Sequence, residues 1–336
     1  MRHAFNTGNT RYAEDILKER QAFYQEYKDQ VKSLLFDWYG NQAFIKNIGF
    51  ESNGRVVIEA DLDLTGEKYS YFPSIIRRVK GSLSLSGNNI KQLDYIEDVT
   101  GDVDLHRSGV FSIKSLKKVG GDFDARAALG LEDVSSLEGV GGRVIIDQTQ
   151  IEQMEALSYV GKSFYAGGFL RKLSNLRWVG GDLGIRKSQI ESLPKLEEVV
   201  GEFNAVDLET LTSLPNLKKV KHLFLQGTKV EHLPTLIEVD RDFSTSECLK
   251  TAPELKEVGL LELNSSIVFK FPKLRTVSRS LNIQNAFIAD FRDTFPRLET
   301  VQDHVVTYQS GIARELELLK KKGDIYVGGS IILQKS

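Results

Sequence analysis

The chain has 336 residues, 41% of them hydrophobic and 27% charged, the balance of an ordinary folded protein with length for one large or two smaller domains. Its 44 basic and 46 acidic side chains leave a formal net charge of -2, so no global field draws it to nucleic acid or to an anionic membrane. A single cysteine, Cys248, excludes an intrachain disulfide framework, and no apolar run approaches the ~18 residues of a membrane span.

The opening residues MRHAFNTGNTRYAEDILKERQ carry no apolar leader core, so the expected location is the cytoplasm, with leaderless export as the alternative. Over 10–38, Tyr12, Ile16, Phe23, Tyr27, Val31, Leu34 and Trp38 recur at helical steps. They predict one helix, with Thr10 as its N-cap and Gly40 as its stop. Asn53-Gly54 follows between two alternating runs and predicts a hairpin.

The main signal is a repeat. Val79, Val99, Val119, Val140, Val160, Val179, Val199, Val220, Val239, Val258, Val277 and Val301 are spaced by 19 to 24 residues. Three residues before each of them stands Leu or Ile, from Ile76 to Leu298. A period of this length is the signature of a solenoid. After the valine come alternating apolar pairs such as Leu83/Leu85, Leu183/Ile185 and Leu281/Ile283, each predicting a short strand with one buried face. Where the second member is Ala125, Ala166 or Ala205, the first is Phe, which roughly conserves core volume. Glycines such as Gly121 and Gly181 mark a sharp turn before the strand, and Pro194, Pro215 and Pro234 favour extended backbone on the far side.

LSLSGNNIKQL (83–93) and LFLQGTKVEHLPTL (223–236) resemble the leucine-rich-repeat signature L-x-L-x-x-N/T/C-x-L-x-x-L-P, in its short bacterial form. The V-x-G-x-L-x-I stretch is similar also to receptor L-domain repeats. The resemblance covers roughly 58–333. The signature's first leucine is replaced here by a valine one residue further upstream, and its asparagine position is filled irregularly. Asn88, Ser108, Thr149, Ser188, Thr228, Cys248 and Ser266 occupy that position, so the resemblance implies a hydrogen-bonded ladder between coils, with Cys248 a ladder residue and not a nucleophile.

The expected fold is therefore an α/β-type solenoid, a curved leucine-rich-repeat-like stack of about 14 short parallel strands with a mostly extended outer side. A stack exposes an apolar cross-section at each end. The helix of 10–38 is read as the N-terminal cap, with a dimerising or partner-binding role as the alternative. A short helix near 312–322 and a final strand are read as the C-terminal cap. The resulting division is 1–57 for the N-terminal helical cap and hairpin, 58–310 for the solenoid and 311–336 for the C-terminal cap.

Motifs for phosphate cradles, zinc hydrolases, serine hydrolases and dithiol chemistry are absent, and the five histidines lack metal-ligand spacing. No catalytic residue, metal or cofactor is assigned. What remains is the strand-lined, concave surface. Its outward positions include Asp102, Asp104, Asp122 and Asp124, a two-by-two acidic patch with Arg126 beside it, then Arg186, and near the end Val306 and Tyr308. Two carboxylates about 5 Å apart repel by only ~0.8 kcal/mol in water, so the patch demands no cation. Tyr165 and Phe224 also point outward, where a solvated strand face has no structural need of aromatics. All of these except Val306, nine residues in total, are the candidate contacts of a non-enzymatic recognition scaffold, a monomer that binds a protein partner. An exported bacterial effector or surface adhesin on the same scaffold is the second reading. A parallel β-helix hydrolase using the clustered carboxylates is the third.

Overall fold

The computed structural model describes residues 7–66, 68–264 and 269–334; the side chains of 7–14 lie outside the described set. All twelve anchor valines are buried, none more than 4% exposed. Each lies against the same valine of the next coil, as in the run Val119, Val140, Val160, Val179 and Val199. Phe123, Val144, Phe164, Leu183 and Phe203 form a second parallel ladder in register. A third side is joined by single bridges, Gln92 to Ser112 to Asp133 and His232 to Thr251 to Lys270 among them. The chain is a parallel β-solenoid of about 12 turns at a spacing of about 20 residues.

The coil geometry explains the residue choices. Leu176, Val179, Leu183, Ile185, Ile190 and Leu193 of one coil are all fully buried. An isolated coil would expose them above and below, so coils are stable only when stacked. The corner between the first and second ladders is tight. A Cβ on Gly141 would lie 2.2 Å from the Gly120 carbonyl oxygen, and one on Gly161 2.0 Å from that of Gly141. Only a bare α-carbon allows the coils to close there. Where the strand ends in Ala125 or Ala205, the following turn tucks in buried Ala128 or Leu208 and restores the volume. The turn after the second ladder passes through left-handed backbone in many coils. Gly87, Gly168 and Gly227 hold that position, but so do Arg107, Ala127, Gln148 and Asp207, at φ from 53° to 62°.

The expected inter-coil ladder forms only in part. Asn88 Nδ2 donates to the Leu64 and Gly66 carbonyls of the coil before it, at 2.5 and 2.8 Å. Thr149 and Thr228 instead donate to Ile146 and Leu225 of their own coils. Among the described residues the buried Ser108 hydroxyl has no partner. Cys248 is only half-buried. That coil closes one residue sooner, and buried Ser246 takes the cross-coil bond, donating to the Val230 carbonyl. Ser266 lies outside the described residues.

Helix α1 (Thr7–Tyr39) starts before Thr10, which is therefore not its cap; the Thr10 and Tyr12 side chains lie outside the described set. Gly40 ends it in left-handed backbone, donating to the Phe36 carbonyl. Its inward stripe is displaced by one residue from the expected one in part. Val31 and Leu35 are buried while Phe23 and Leu34 are exposed. The Tyr24 and Tyr27 hydroxyls donate to the Glu51 and Gly54 carbonyls of the hairpin, and the Trp38 ring packs among Tyr69, Tyr71 and Phe72. A one-turn helix, α2 (Gln42–Ile45), leads into that hairpin. Its strands are Ile48–Phe50 and Val56–Ile58, and the second pairs with Ile76–Val79 to start the stack. The long step before Val301 accommodates α3 (Phe291–Thr294). Helix α4 (Ser310–Lys322) buries Ile312 and Leu316, and the strand Ile331–Leu333 closes the second ladder. Among the described residues no helix is long and apolar enough to cross a membrane.

Candidate functional site

The outward residues of the second ladder form one row. Asp104, Asp124, Ile145, Tyr165, Gly184, Asn204 and Phe224 are neighbours in register. At about 4.8 Å per coil, Tyr165 and Phe224 are roughly 14 Å apart along it.

Tyr165 leans toward the next coil, where Gly184 leaves room for the ring: a Cβ on Gly184 would meet Tyr165 Cδ1 at 2.8 Å. The phenol donates to Asp182 at 3.0 Å. A hydrogen bond involving Ser163 pulls the phenol pKa down, but partial burial and the bond to anionic Asp182 outweigh it and hold it above its ordinary value. The tyrosine is thus a fixed donor at neutral pH, its ring 36% exposed. Around it opens a cleft of about 340 Å³ lined also by Asp147, Arg186, Lys187 and Glu202. Arg186 reaches Asp207 only at 3.8 Å, so its guanidinium keeps donors for a ligand.

Phe224 faces outward but is half-buried, a correction to the expectation of an exposed ring. The imidazole of His222 lies beside it with ring centroids 6.2 Å apart, and is held by Asp242 at 2.9 Å. Arg279 binds the other oxygen of Asp242 at 2.7 Å. Tyr308, 40% exposed, follows a strand four coils beyond Phe224 and takes no part in the Tyr165 cleft.

The acidic patch has internal partners. Asp102 accepts the Asp122 backbone N–H and Asp122 accepts that of Arg143, both at 2.7 Å. Asp104 and Asp124 each accept the N–H two residues ahead, from His106 and Arg126. The Arg143 guanidinium grips Asp122 at 2.8 Å and that of Arg126 grips Asp124 at 2.6 Å. Burial alone would raise the Asp122 and Asp124 carboxyls; their bonds to Arg143 and Arg126 prevail and hold both below the usual range. Among the described residues no three His, Cys, Asp or Glu side chains converge on a metal-sized position.

Sequence reasoning placed Tyr165 and Arg186 on one face but missed that Gly184 makes the cleft between them. The signal was available: LGI at 183–185 has glycine where Asp104, Asp124 and Asn204 stand in other coils. The chain matches no known protein-family model, and no curated protein matches it. The coil itself defines the class: a solenoid repeat protein with parallel strands on each turn.

Proposed function

We propose that this chain is a non-enzymatic recognition scaffold, of leucine-rich-repeat type, that binds a protein partner through the outward face of its second strand ladder. The observation that carries the reading is Tyr165. Its ring is half-exposed on a strand face, oriented by Asp182 and given space by Gly184, beside an arginine with free donors. Aromatic and arginine side chains held in this way are the usual anchors of protein interfaces. Phe224 and its His222–Asp242–Arg279 cluster extend the surface along the same row, within the footprint of an ordinary interface. The carboxylates of the acidic patch favour a structural role over hydrolysis, since each accepts a backbone N–H.

Affinity capture with the wild-type chain and with Tyr165→Ala/Phe224→Ala, read by mass spectrometry, tests this. The expected outcome is a partner retained by the wild type and lost by the double variant, with the thermal midpoint nearly unchanged. A partner retained equally by both removes the face from consideration.

A further inference from the structure

The first ladder carries a different feature. Its outward row reads Lys118, Gly139, Tyr159, Trp178 and Glu198 in register. Tyr159 and Trp178 stack with centroids 4.9 Å apart and planes 6° from parallel, so the coil spacing sets the aromatic spacing. Trp178 covers one face of Tyr159. The other face looks across Gly139, where the row lacks a side chain, and Tyr159 remains 45% exposed.

Gly139 is unlike the corner glycines beside it. Gly120 and Gly141 cannot carry a Cβ, because it would lie 2.1 or 2.2 Å from a carbonyl oxygen of the preceding coil. At Gly139 a Cβ would have only the Tyr159 carbonyl oxygen within 4 Å, at 3.8 Å, and its φ is not left-handed. Neither turn geometry nor coil packing requires glycine there. The bare position opens a cleft of about 560 Å³, with Asp98, Lys118, Glu138 and Ser158 around it. Lys118 and Glu138 are exposed, and among the described residues neither forms an ion pair, so both are available to a ligand, whereas Asp98 is held by Arg78 and the Ser158 hydroxyl donates to the Glu138 carbonyl.

We infer that this slot binds one pyranose ring of a glycan. Across the missing rung, Lys118 and Tyr159 are two coil steps apart, about 9.6 Å. A flat aromatic ring in contact on both sides needs only about 7 Å, at ~3.5 Å per carbon contact, and would leave the slot loose. A saturated chair with its axial atoms is thicker and fills it. Its C–H face stacks on the free face of Tyr159, while the Glu138 carboxylate and the Lys118 ammonium at the rim match the sugar hydroxyls. The cleft is open, which suits an internal residue of a chain. The site is on another ladder from Tyr165 and stands independently of the protein-recognition reading.

The test titrates the full chain with cellohexaose, xylohexaose, chitohexaose and a hexagalacturonate. Calorimetry on the wild type is paired with fluorescence in a Trp38→Phe background, where Trp178 is the sole indole. The expected result is saturable binding of at least one sugar, weakened tenfold or more by Tyr159→Ala and by Gly139→Leu. The second variant has room for its Cβ and is expected to keep the wild-type thermal midpoint, which separates lost binding from lost folding. Tyr165→Ala/Phe224→Ala should leave sugar binding unchanged. No binding of any of the four, or binding that survives both slot variants, overturns the proposal; so does capture of a tryptophan-bearing peptide in the slot in place of every sugar.

Discussion

The carboxylate of Asp102 accepts the backbone N–H of Asp122 at 2.7 Å, one full coil further along the chain. The same relationship joins Asp61 to Ser82, Ser82 to Asp102, Ser163 to Asp182 and Asp182 to Glu202. At the glycine corner the chain leaves the first ladder before it joins the second, and a side-chain oxygen from the coil below takes the N–H stranded between them. The bond is solvent-accessible, so Asp102→Ala is expected to cost about 0.5–1.5 kcal/mol, the net worth of one hydrogen bond, whereas Asp102→Asn retains an acceptor and should cost about 0.5 kcal/mol or less. Denaturant unfolding of the two variants compares them directly. Equal losses would mean that charge, and not the acceptor atom, is what the corner uses.

Asp122 and Asp124 contribute to the acid limit. Both have carboxyls held below their ordinary range in the folded chain, by Arg143 and Arg126. A group depressed on folding contributes stability that is complete above its unfolded value, about 3.9 for Asp, and is lost as pH falls through the folded value. Thermal midpoints should therefore be insensitive to these two groups from neutral pH to about 5, then fall below about pH 4. In Asp122→Asn the acid limb should be shallower, since one of the linked protons is gone. An unchanged limb would place the acid sensitivity elsewhere.

Much of this coil was legible because buried rows repeat at fixed offsets: Val179 and Leu183 face inward as their period requires. The short helix α4 also followed from one long step between valines. Contacts between residues a coil apart were not legible. The Asp102–Asp122 bond depends on the stacking offset at the corner, which no local pattern encodes, so the aspartates read as a solvated patch and candidate contact surface, without their role in the corner. In α1 the one seven-residue step, Ile16 to Phe23, leaves the register of the stripe open to its neighbour, and the packing puts Tyr24 on the hairpin and buries Leu35 while Phe23 and Leu34 stay exposed. The Tyr159–Trp178 pair escaped because the first ladder read as a row of valines, and the residues just before them were not considered as a surface.

Two glycines two residues apart should respond in opposite ways. A Cβ on Gly141 would press into the Gly120 carbonyl at 2.2 Å, while one on Gly139 meets nothing closer than 3.8 Å. Gly141→Ala is expected to destabilise by about 1–3 kcal/mol, the range for overpacked sites that force backbone shifts. Gly139→Ala should be neutral or stabilising by up to about 1 kcal/mol, because it removes freedom from the unfolded chain. Calorimetric midpoints of the pair, measured side by side, check the corner geometry.

The register of the N-terminal cap is tested by two adjacent leucines. Leu35 is fully buried and Leu34 is 55% exposed. Leu35→Ala should cost about 2–5 kcal/mol by opening a cavity between helix and stack. Leu34→Ala should lie within about 0.5 kcal/mol of wild type, as surface changes do. The reverse order would restore the stripe through Leu34 and put the other face of the helix on the hairpin. If Leu34→Ala proves silent for stability, that variant becomes a clean probe of whether the exposed side of α1 associates with a second chain.

The left-handed column offers a stabilising change. Ala127 occupies it at φ 54°, in line with Gly87, Gly168 and Gly227 of other coils. A left-handed alanine costs roughly 1–2 kcal/mol relative to the right-handed region, and glycine avoids that cost at the expense of about 0.5–1 kcal/mol of extra unfolded-state freedom. Ala127→Gly is therefore expected to gain up to about 1 kcal/mol, where alanine-to-glycine changes ordinarily lose stability. Ala128 next to it is fully buried and has no positive φ, so Ala128→Gly should be destabilising by about 1 kcal/mol, through the lost methyl and the added freedom. Opposite signs at consecutive alanines would reflect the left-handed backbone of Ala127 and the buried methyl of Ala128, since both substitutions make the same chemical change. Matching losses at both positions would mean that Ala127 carries no strain and that the turn is paid for by contacts elsewhere in the coil.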